Sequence, residues 1–157
     1  MKKSVLAALL CIAALEYSAA ATADDRVVRF DGGIGVIPSS NVTTVNVVRG
    51  FQPGGQPWVI SRLTADVRSD GRISVDGRGL LLAGGDGIGT TGNQSVRAVL
   101  FCAGAAPVNT DLVALDANGD FRIDAVLSAP PAEPCGAPVL LIVNPQNRWF
   151  AAGIPKQ

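Results

Sequence analysis

The chain contains no histidine among its 157 residues. Imidazole is the usual base that activates serine and cysteine nucleophiles, and it is the commonest protein ligand of zinc and copper. The sequence therefore excludes catalysis by an imidazole-activated nucleophile, and it excludes metal sites built on histidine.

Neither sign of charge is in excess, because 13 basic residues are matched by 13 acidic ones. Removal of the secretory signal that we predict at the start of the chain would take away Lys2, Lys3 and Glu16 and leave the balance nearly even. A chain without a net field does not attract a polyanion over long range. We therefore expect no nucleic-acid partner.

Aromatic side chains are scarce, at 5% of the chain. Trp58 opens a predicted strand, and Trp149 and Phe150 are adjacent in the last one. Aromatic residues in such places often cover the rim of a β core, whereas a carbohydrate platform needs rings that lie side by side and exposed. We favour the rim, and the platform is the alternative.

Cysteine is nearly absent as well, with three residues in all. Cys11 lies within the predicted signal, so only Cys102 and Cys135 remain after export into an oxidising compartment. We predict a disulfide that joins the end of the strand before Cys102 to the start of the strand after Cys135. A metal site is the weaker interpretation, because two thiols make half of a zinc shell and no histidine completes it.

Residues 1–23 have the layout of a secretory signal. Two lysines precede an apolar run over residues 5–15, which is too short to span a bilayer, and small residues follow it. Cleavage after Ala23 fits best, with cuts a few residues earlier as alternatives. We expect residues 24–157 to form one exported domain, in the periplasm or outside the cell, with no membrane span.

Polar and apolar residues alternate in both arms of residues 58–83. We place the odd positions of both arms on one apolar face: Val59, Ser61, Leu63, Ala65, Val67, Ile73, Val75, Leu81 and Ala83. A two-residue loop would pair odd with even positions, so the parity favours a three-residue loop over 69–71 that pairs Val67 with Ile73. We predict a hairpin with a left-handed Gly71.

No segment keeps a helical period, and turn signals recur along the chain. Residues 27–30 and 34–37 predict strands around a turn at 31–33, and residues 42–49 predict a further strand. The almost wholly apolar residues 138–143 predict a strand covered on both faces. We expect an all-β fold: an antiparallel β-sandwich of about six to nine strands with Greek-key connections and one disulfide, or alternatively a small β-barrel.

A glycine-rich stretch covers residues 84–93, where Gly87, Gly89 and Gly92 match the spacing of a nucleotide-binding GxGxxG motif. That motif opens a helix, whereas residues 95–102 read as another strand. We therefore interpret the stretch as a loop between strands, and its contact with a ligand or partner stays open.

Two aspartates flank a predicted three-residue turn. A left-handed Gly119 would set Asp116 opposite Asp120, and with Asn118 these two residues match the first three ligand positions of a calcium loop. The match then ends, because Phe121 stands where such a loop has glycine. Asp116, Asn118 and Asp120 thus form a weak calcium hypothesis, and no other cofactor is predicted.

The same aspartates have two other interpretations. Close carboxylates suit a retaining glycosidase, but such a site needs a cleft with aromatic walls, which this chain hardly supplies. A solvated hairpin whose charge Arg122 partly offsets is the interpretation we favour.

Four arginines lie on the outer face of the central hairpin, interleaved with two aspartates; they are Arg62, Arg68, Arg72 and Arg78, with Asp66 and Asp76. The predicted register sets Arg62 opposite Arg78, which is unfavourable unless diagonal aspartates relieve it. We favour a solvated face of mixed charge, and a patch for an anion or polyanion is the alternative.

The second half of the chain carries four further segments: LFC at Leu100, GDFRI at Gly119, PCGAPVLLIV at Pro134 and WFAAGI at Trp149. In these segments the chain resembles a group of small exported bacterial proteins that are uncharacterised. The resemblance covers most of the chain after the signal. It implies export and a compact β domain with one cysteine pair, and it implies no activity.

These features predict a non-enzymatic protein that acts as a binding or structural component of the periplasm or cell exterior. Its partner would be a protein or another envelope component, and it would be a monomer or a small homo-oligomer. A surface-fibre subunit of the pilin kind, completed by a neighbour's strand, is one alternative. A calcium-dependent module on the hairpin of Asp116 and Asp120 is another.

Overall fold

The structure, a computed structural model, describes residues 25–39 and 46–156. Eleven strands and no helix are present in this part of the chain. The strands are β1 (Arg26–Gly35), β2 (Trp58–Val59), β3 (Arg62–Arg68), β4 (Arg72–Arg78), β5 (Leu81–Leu82), β6 (Ser95–Phe101), β7 (Val108–Asn109), β8 (Val113–Ala114), β9 (Phe121–Val126), β10 (Val139–Val143) and β11 (Trp149–Pro155). The predicted signal over residues 1–23 and residues 42–45 of the predicted strand over residues 42–49 lie outside the described residues. The rest of that prediction is wrong, because residues 46–49 form no strand and only Val48 makes an isolated bridge, to Phe51.

Nine of these strands form one antiparallel sheet in the order β7-β6-β10-β11-β1-β3-β4-β9, with β8 paired to the start of β6. The sheet curls into a half-barrel, while β2 and β5 pair separately as a two-stranded sheet. The predicted antiparallel all-β fold with one disulfide is therefore confirmed. Its layers come mainly from the curling of one large sheet.

The two ends of the curled sheet meet at the turn between β8 and β9. Asp116 N donates to Asp120 O at 3.0 Å, and beyond this bond β8 pairs with β6 while β9 pairs with β4. At the other end of β9, Ser128 N donates to Asn109 O of β7 at 2.8 Å. Hydrogen bonds near both ends of β9 thus hold the curl together.

The central hairpin of β3 and β4 has the predicted register. Val67 pairs with Ile73 and Ala65 pairs with Val75, around a three-residue loop in which Gly71 has a φ of 86°. These apolar residues are buried, while the positions between them are exposed or half-buried. Alternation with a period of two fixes the register here, since a slip by one residue would turn the apolar set toward solvent.

The predicted parity is wrong on either side of this ladder. Val59 is 50% exposed and Leu81 is half-buried, whereas Trp58 and Leu82 are buried. Gly79 has a φ of 63°, so the ladder stops there and the inward positions change from odd to even. The short strands β2 and β5 consequently leave the main sheet and pair with each other.

The predicted turn over residues 31–33 is also wrong, because β1 continues through these residues without reversing direction. A bulge at Gly32, which has a φ of 106°, bends the strand there. Residues before the bulge pair with β3, and residues after it pair only with β11. One bent strand therefore connects the two halves of the sheet.

The strand β10 lies between β6 and β11, and residues 140–143 have no exposed surface. Its predicted burial on both faces is confirmed. On the outer face the segment over residues 46–57 packs against the sheet: Phe51 meets Phe101 edge to face with ring centroids 5.3 Å apart, and backbone hydrogen bonds join the segment to Trp149. We call β6, β10 and β11 the covered half, and β3, β4 and β9 the hairpin half.

The disulfide braces the covered half, because Cys102 directly follows β6 and Cys135 precedes β10. The two Cα atoms are 4.8 Å apart, which a disulfide spans without moving the backbone. The predicted pairing and its place are confirmed. Closing a loop of this length stabilises a fold by roughly 3 to 4 kcal/mol in the chain-entropy model.

Candidate functional site

Asp116 holds the turn between β8 and β9 together. Its Oδ1 accepts hydrogen bonds from Asn118 N and from Asp120 N, both at 2.8 Å. Gly119 has a φ of 78°, which confirms the predicted left-handed residue. Asp116 thus satisfies the backbone of its own turn, as aspartate commonly does.

Asp120 fastens this turn to the chain that follows β4. Its Oδ1 accepts from Gly79 N at 2.9 Å, and its Oδ2 accepts from Arg78 Nη1 at 3.0 Å. The hydrogen bond from Gly79 is the main cause that holds the pKa of Asp120 below its ordinary value, and the Arg78 guanidinium adds to it. Asp120 therefore acts as an ionised acceptor.

We call residues 78–80 and 116–120 the latch. Leu80 N donates to Gly119 O at 2.9 Å, so the two backbones are bonded directly. A Cβ added at Gly119 would lie only 2.5 Å from Leu80 O. Only glycine allows this approach, and the latch consequently joins the turn to the hairpin half.

The calcium hypothesis concerns Asp116, Asn118 and Asp120, and the structure places all three in the latch. Both carboxylate oxygens of Asp120 and one of Asp116 already accept hydrogen bonds from the protein. Among residues 25–39 and 46–156, no group of three or more acidic or thiol side chains could hold a metal ion. The calcium site stays a prediction, which a higher melting temperature at about 1 mM calcium would support.

Carboxylates match most arginines of the hairpin half. Arg78 Nε lies 2.9 Å from Asp76 Oδ1, in addition to its contact with Asp120. Three further ion pairs lie within 3.3 Å: Arg72 with Asp70, Arg122 with Asp124, and Arg68 with Asp25. The predicted opposition of Arg62 and Arg78 is confirmed, and the carboxylates around Arg78 relieve it. Because these guanidinium groups are already paired, the contacts favour a solvated face of mixed charge over an anion patch.

Two other carboxylates of the hairpin half also have lowered pKa values. The hydrogen bond from Ser74 Oγ at 2.7 Å is the main cause for Asp124, followed by the bond from Arg122. For Asp70 the main cause is the hydrogen bond from Arg72 N at 3.0 Å. A carboxylate with a lowered pKa is poorly suited to donate a proton near neutral pH, so neither group resembles a general acid.

The glycine-rich stretch over residues 84–93 is a folded loop. Leu82 N donates to Thr90 O at 2.9 Å, and Gly89 N donates to Leu82 O at 2.8 Å. The loop therefore folds back on the strand that precedes it. The strand β6 follows, as predicted, where a nucleotide-binding motif would have a helix.

A cleft of about 300 Å³ lies where this loop meets two other segments. We call it the loop cleft. Its lining includes Gly54, Gln56, Trp58, Gln94, Arg148 and Phe150. These residues come from three stretches far apart in the sequence, so the fold alone brings them together.

Two aromatic rings stack in the wall of the loop cleft. Trp58 and Phe150 have ring centroids 4.1 Å apart and planes 15° from parallel. Each residue is only 4% exposed, so these rings lie side by side without forming an exposed carbohydrate platform. Trp149 packs elsewhere, and its Nε1 donates to Asn46 O at 2.9 Å. The contacts favour the predicted role of aromatic residues at the rim of the core.

Neighbouring groups hold the polar side chains of the loop cleft. Gln94 Nε2 donates to Gly92 O at 3.3 Å, and Asn144 Oδ1 accepts from Arg148 N at 2.9 Å. Arg148 Nη1 donates to Pro53 O at 3.3 Å. Within the described chain no carboxylate pairs with Arg148, in contrast to most arginines of the hairpin half. The loop cleft therefore carries an unmatched positive charge.

Sequence reasoning did not identify this cleft. The glycine-rich stretch is the one signal in the sequence, since Gly92 from this stretch lines the cleft. Gln56, Gln94 and Arg148 show no motif, because their proximity depends on how three loops fold.

No family model matches the chain, and no match was found among curated proteins or solved structures. In the part of the chain that the structure describes, no helix is long and apolar enough to cross a membrane. The disulfide, the latch and the loop cleft are therefore the features that bear on function.

Proposed function

We propose that this protein is exported and acts, without catalysis, as a binding or structural component of the periplasm or cell exterior. The observation that carries the proposal is the disulfide between Cys102 and Cys135, which braces β6 against β10. Structural disulfides persist in oxidising compartments and are rare in the cytosol. The signal-like residues 1–23 support the same compartment.

The state of the carboxylates supports a role without chemistry. Asp116 and Asp120, the pair that a glycosidase mechanism would use, accept hydrogen bonds that hold the latch together. A general acid needs a raised pKa, whereas the pKa of Asp120 is lowered. Binding or a structural role is the function that this arrangement supports best.

Fractionation of cells that produce the full chain tests the proposal. We expect the protein in the periplasm or the culture fluid, with its N-terminus close to residue 24. The control is Leu10→Arg, which places a charge in the apolar run and should leave the full-length chain in the cytoplasm. A wild-type protein that stays in the cytoplasm at full length would contradict export.

The fibre-subunit alternative requires a sheet that a neighbour's strand completes. The apolar strands β10 and β11 each have a partner on both edges within the described chain. This pairing favours a domain that is complete by itself. Gel filtration separates the two ideas, since we expect one discrete small species and a fibre subunit would give polymers.

A further inference from the structure

One donor in the wall of the loop cleft has no acceptor among the described residues. Trp58 is 4% exposed, and its Nε1 donates to no residue in the described part of the chain. A fully buried indole N–H usually has a hydrogen-bond partner, whereas Trp58 Nε1 is not among the fully buried atoms that lack one and so reaches the surface of the cleft. Trp149, which is equally buried, follows this rule through Asn46 O. The indole N–H of Trp58 is therefore available to a molecule in the cleft.

Gly54 leaves space beside this donor. Both residues line the loop cleft, and a Cβ added at Gly54 would lie 3.1 Å from Trp58 Nε1 and 2.9 Å from Phe150 Cδ1. A side chain at this position would crowd the indole edge. The absence of a side chain at Gly54 thus keeps the neighbourhood of the indole N–H open.

Arg148 supplies a second available donor in the same cleft. Its guanidinium has one hydrogen bond, to Pro53 O, and no carboxylate partner among the described residues. Gln56 and Gln94 add neutral amides, and no acidic side chain is among the described residues that line the cleft. A ligand that suits these groups carries oxygen acceptors and a negative charge.

We propose that the loop cleft binds a small hydroxylated carboxylate of the sugar-acid class. Arg148 holds the carboxylate, because a guanidinium and a carboxylate form strong paired hydrogen bonds. Trp58 Nε1 donates to a ligand oxygen, and the amide of Gln56 serves the hydroxyl groups. The cleft volume of about 300 Å³ is at the small end of known ligand sites, which suits a single sugar unit. The proposal rests on the binding function proposed above and gives it a ligand class.

Nuclear magnetic resonance of the two indole N–H groups tests this site in the exported protein. The protein is titrated with glucuronate, and the signals of Trp58 and Trp149 are assigned with phenylalanine variants. We expect the Trp58 signal to move saturably, with a Kd of about 0.1 to 1 mM, while the Trp149 signal stays in place. Glucose lacks the carboxylate and acetate lacks the hydroxyl groups, so each should bind about tenfold more weakly or worse.

Matched variants separate the cleft from the rest of the surface. Arg148→Gln should weaken glucuronate binding by about tenfold or more, whereas Arg62→Gln, in the hairpin half, should leave it unchanged. Trp58→Phe keeps a ring and removes the donor, so it should also weaken binding. Trp149→Phe loses its bond to Asn46 and should bind normally. Circular dichroism confirms that each variant is folded.

Three results would overturn the proposal. They are a Trp58 signal that glucuronate does not move, equal binding of glucose or acetate, and wild-type affinity in Arg148→Gln. If Trp58→Phe does not fold, the indole signal and Arg148→Gln still decide the question. Failure of binding in a protein that fractionates to the periplasm would reject the ligand class alone, whereas a cytoplasmic location would reject the proposed function.

Discussion

The hairpin half and the covered half share a period of two but present opposite surfaces. In the hairpin half, alternate residues are buried and the residues between them are largely charged. In the covered half the outer positions Val99, Phe101 and Leu141 are themselves at most 7% exposed, and Phe51 of the segment over residues 46–57 packs on this face. The residue pattern of a strand therefore depends on whether its outer face is covered or solvated, as well as on the core that its inner face contacts.

Arginines in and beside the two halves also differ in their partners. Most arginines of the hairpin half are paired with carboxylates and exposed, so each pair adds little to stability or to binding. Arg148, which directly precedes β11 and is also exposed, has no such partner in the described chain. The candidate binding site thus borders the covered half, and the latch fastens the turn before β9 to the end of β4.

Removing the disulfide should give the largest effect, because this bond braces the covered half, in which most strand residues are buried. Replacing both Cys102 and Cys135 with serine should lower the free energy of unfolding by roughly 3 to 4 kcal/mol. Urea unfolding followed by circular dichroism measures the change. Cys11→Ser is the control, since it lies in the predicted signal and should leave the exported protein unchanged. An equally stable double variant would contradict the bracing role.

Truncating an outer residue in each half sharpens the comparison further. Leu141→Ala should cost about 3 kcal/mol, because this outward position has no exposed surface. Arg62→Ala, on the outer face of β3, should change the free energy of unfolding by about 0.5 kcal/mol or less. Similar losses in both variants would show that the outer faces do not differ.

The latch can be strained at one glycine. Gly119→Ala should cost about 2 kcal/mol or more, because φ is 78° and the new Cβ would meet Leu80 O at 2.5 Å. Gly89→Ala is the matched control, since Gly89 has a φ of 80° with nothing within 4 Å of an added Cβ. It should cost only the backbone strain, about 1 kcal/mol. Equal losses would mean that the latch contact adds nothing.

Acid should weaken the hairpin half through its carboxylates. The folded-state pKa values of Asp120, Asp124 and Asp70 are lowered, so their contribution is present above the unfolded pKa of about 4 and is lost as pH falls below it. Urea unfolding between about pH 2 and pH 7 should show stability falling on the acid side. Asp120→Asn should flatten this fall, whereas Asp111→Asn, which removes a carboxylate without a hydrogen bond in the described chain, should not. An unchanged slope in Asp120→Asn would contradict the role of the latch.

Local patterns predicted a substantial part of the fold. Odd-even parity predicted the β3–β4 register around Gly71, and the unbroken apolar run predicted that β10 is covered on both faces. The cysteine count predicted the disulfide, since only two thiols remained to pair. Each of these features depends on neighbours in sequence or on composition, which the chain displays directly.

The remaining features depend on contacts between distant residues. Gly32 predicted a turn, but its left-handed backbone serves a bulge because β1 must follow both β3 and β11. The backbone at Gly79 changes the inward-facing positions from odd to even, because the β3–β4 ladder ends there and the latch begins. The aspartates of the turn suggested a metal or a catalytic pair, but Asp120 bonds to Gly79, which lies 41 residues away. Sequence patterns alone do not reveal such long-range partners.

The thiol content of the native exported protein tests the account most directly, because the bond between Cys102 and Cys135 both braces the covered half and marks an oxidising compartment. Alkylation without reduction, followed by intact mass spectrometry, counts the reactive thiols. We expect no alkylation of the processed chain before reduction, and alkylation of both cysteines after it. Native protein in which Cys102 and Cys135 are both alkylated would contradict the bracing and the compartment together.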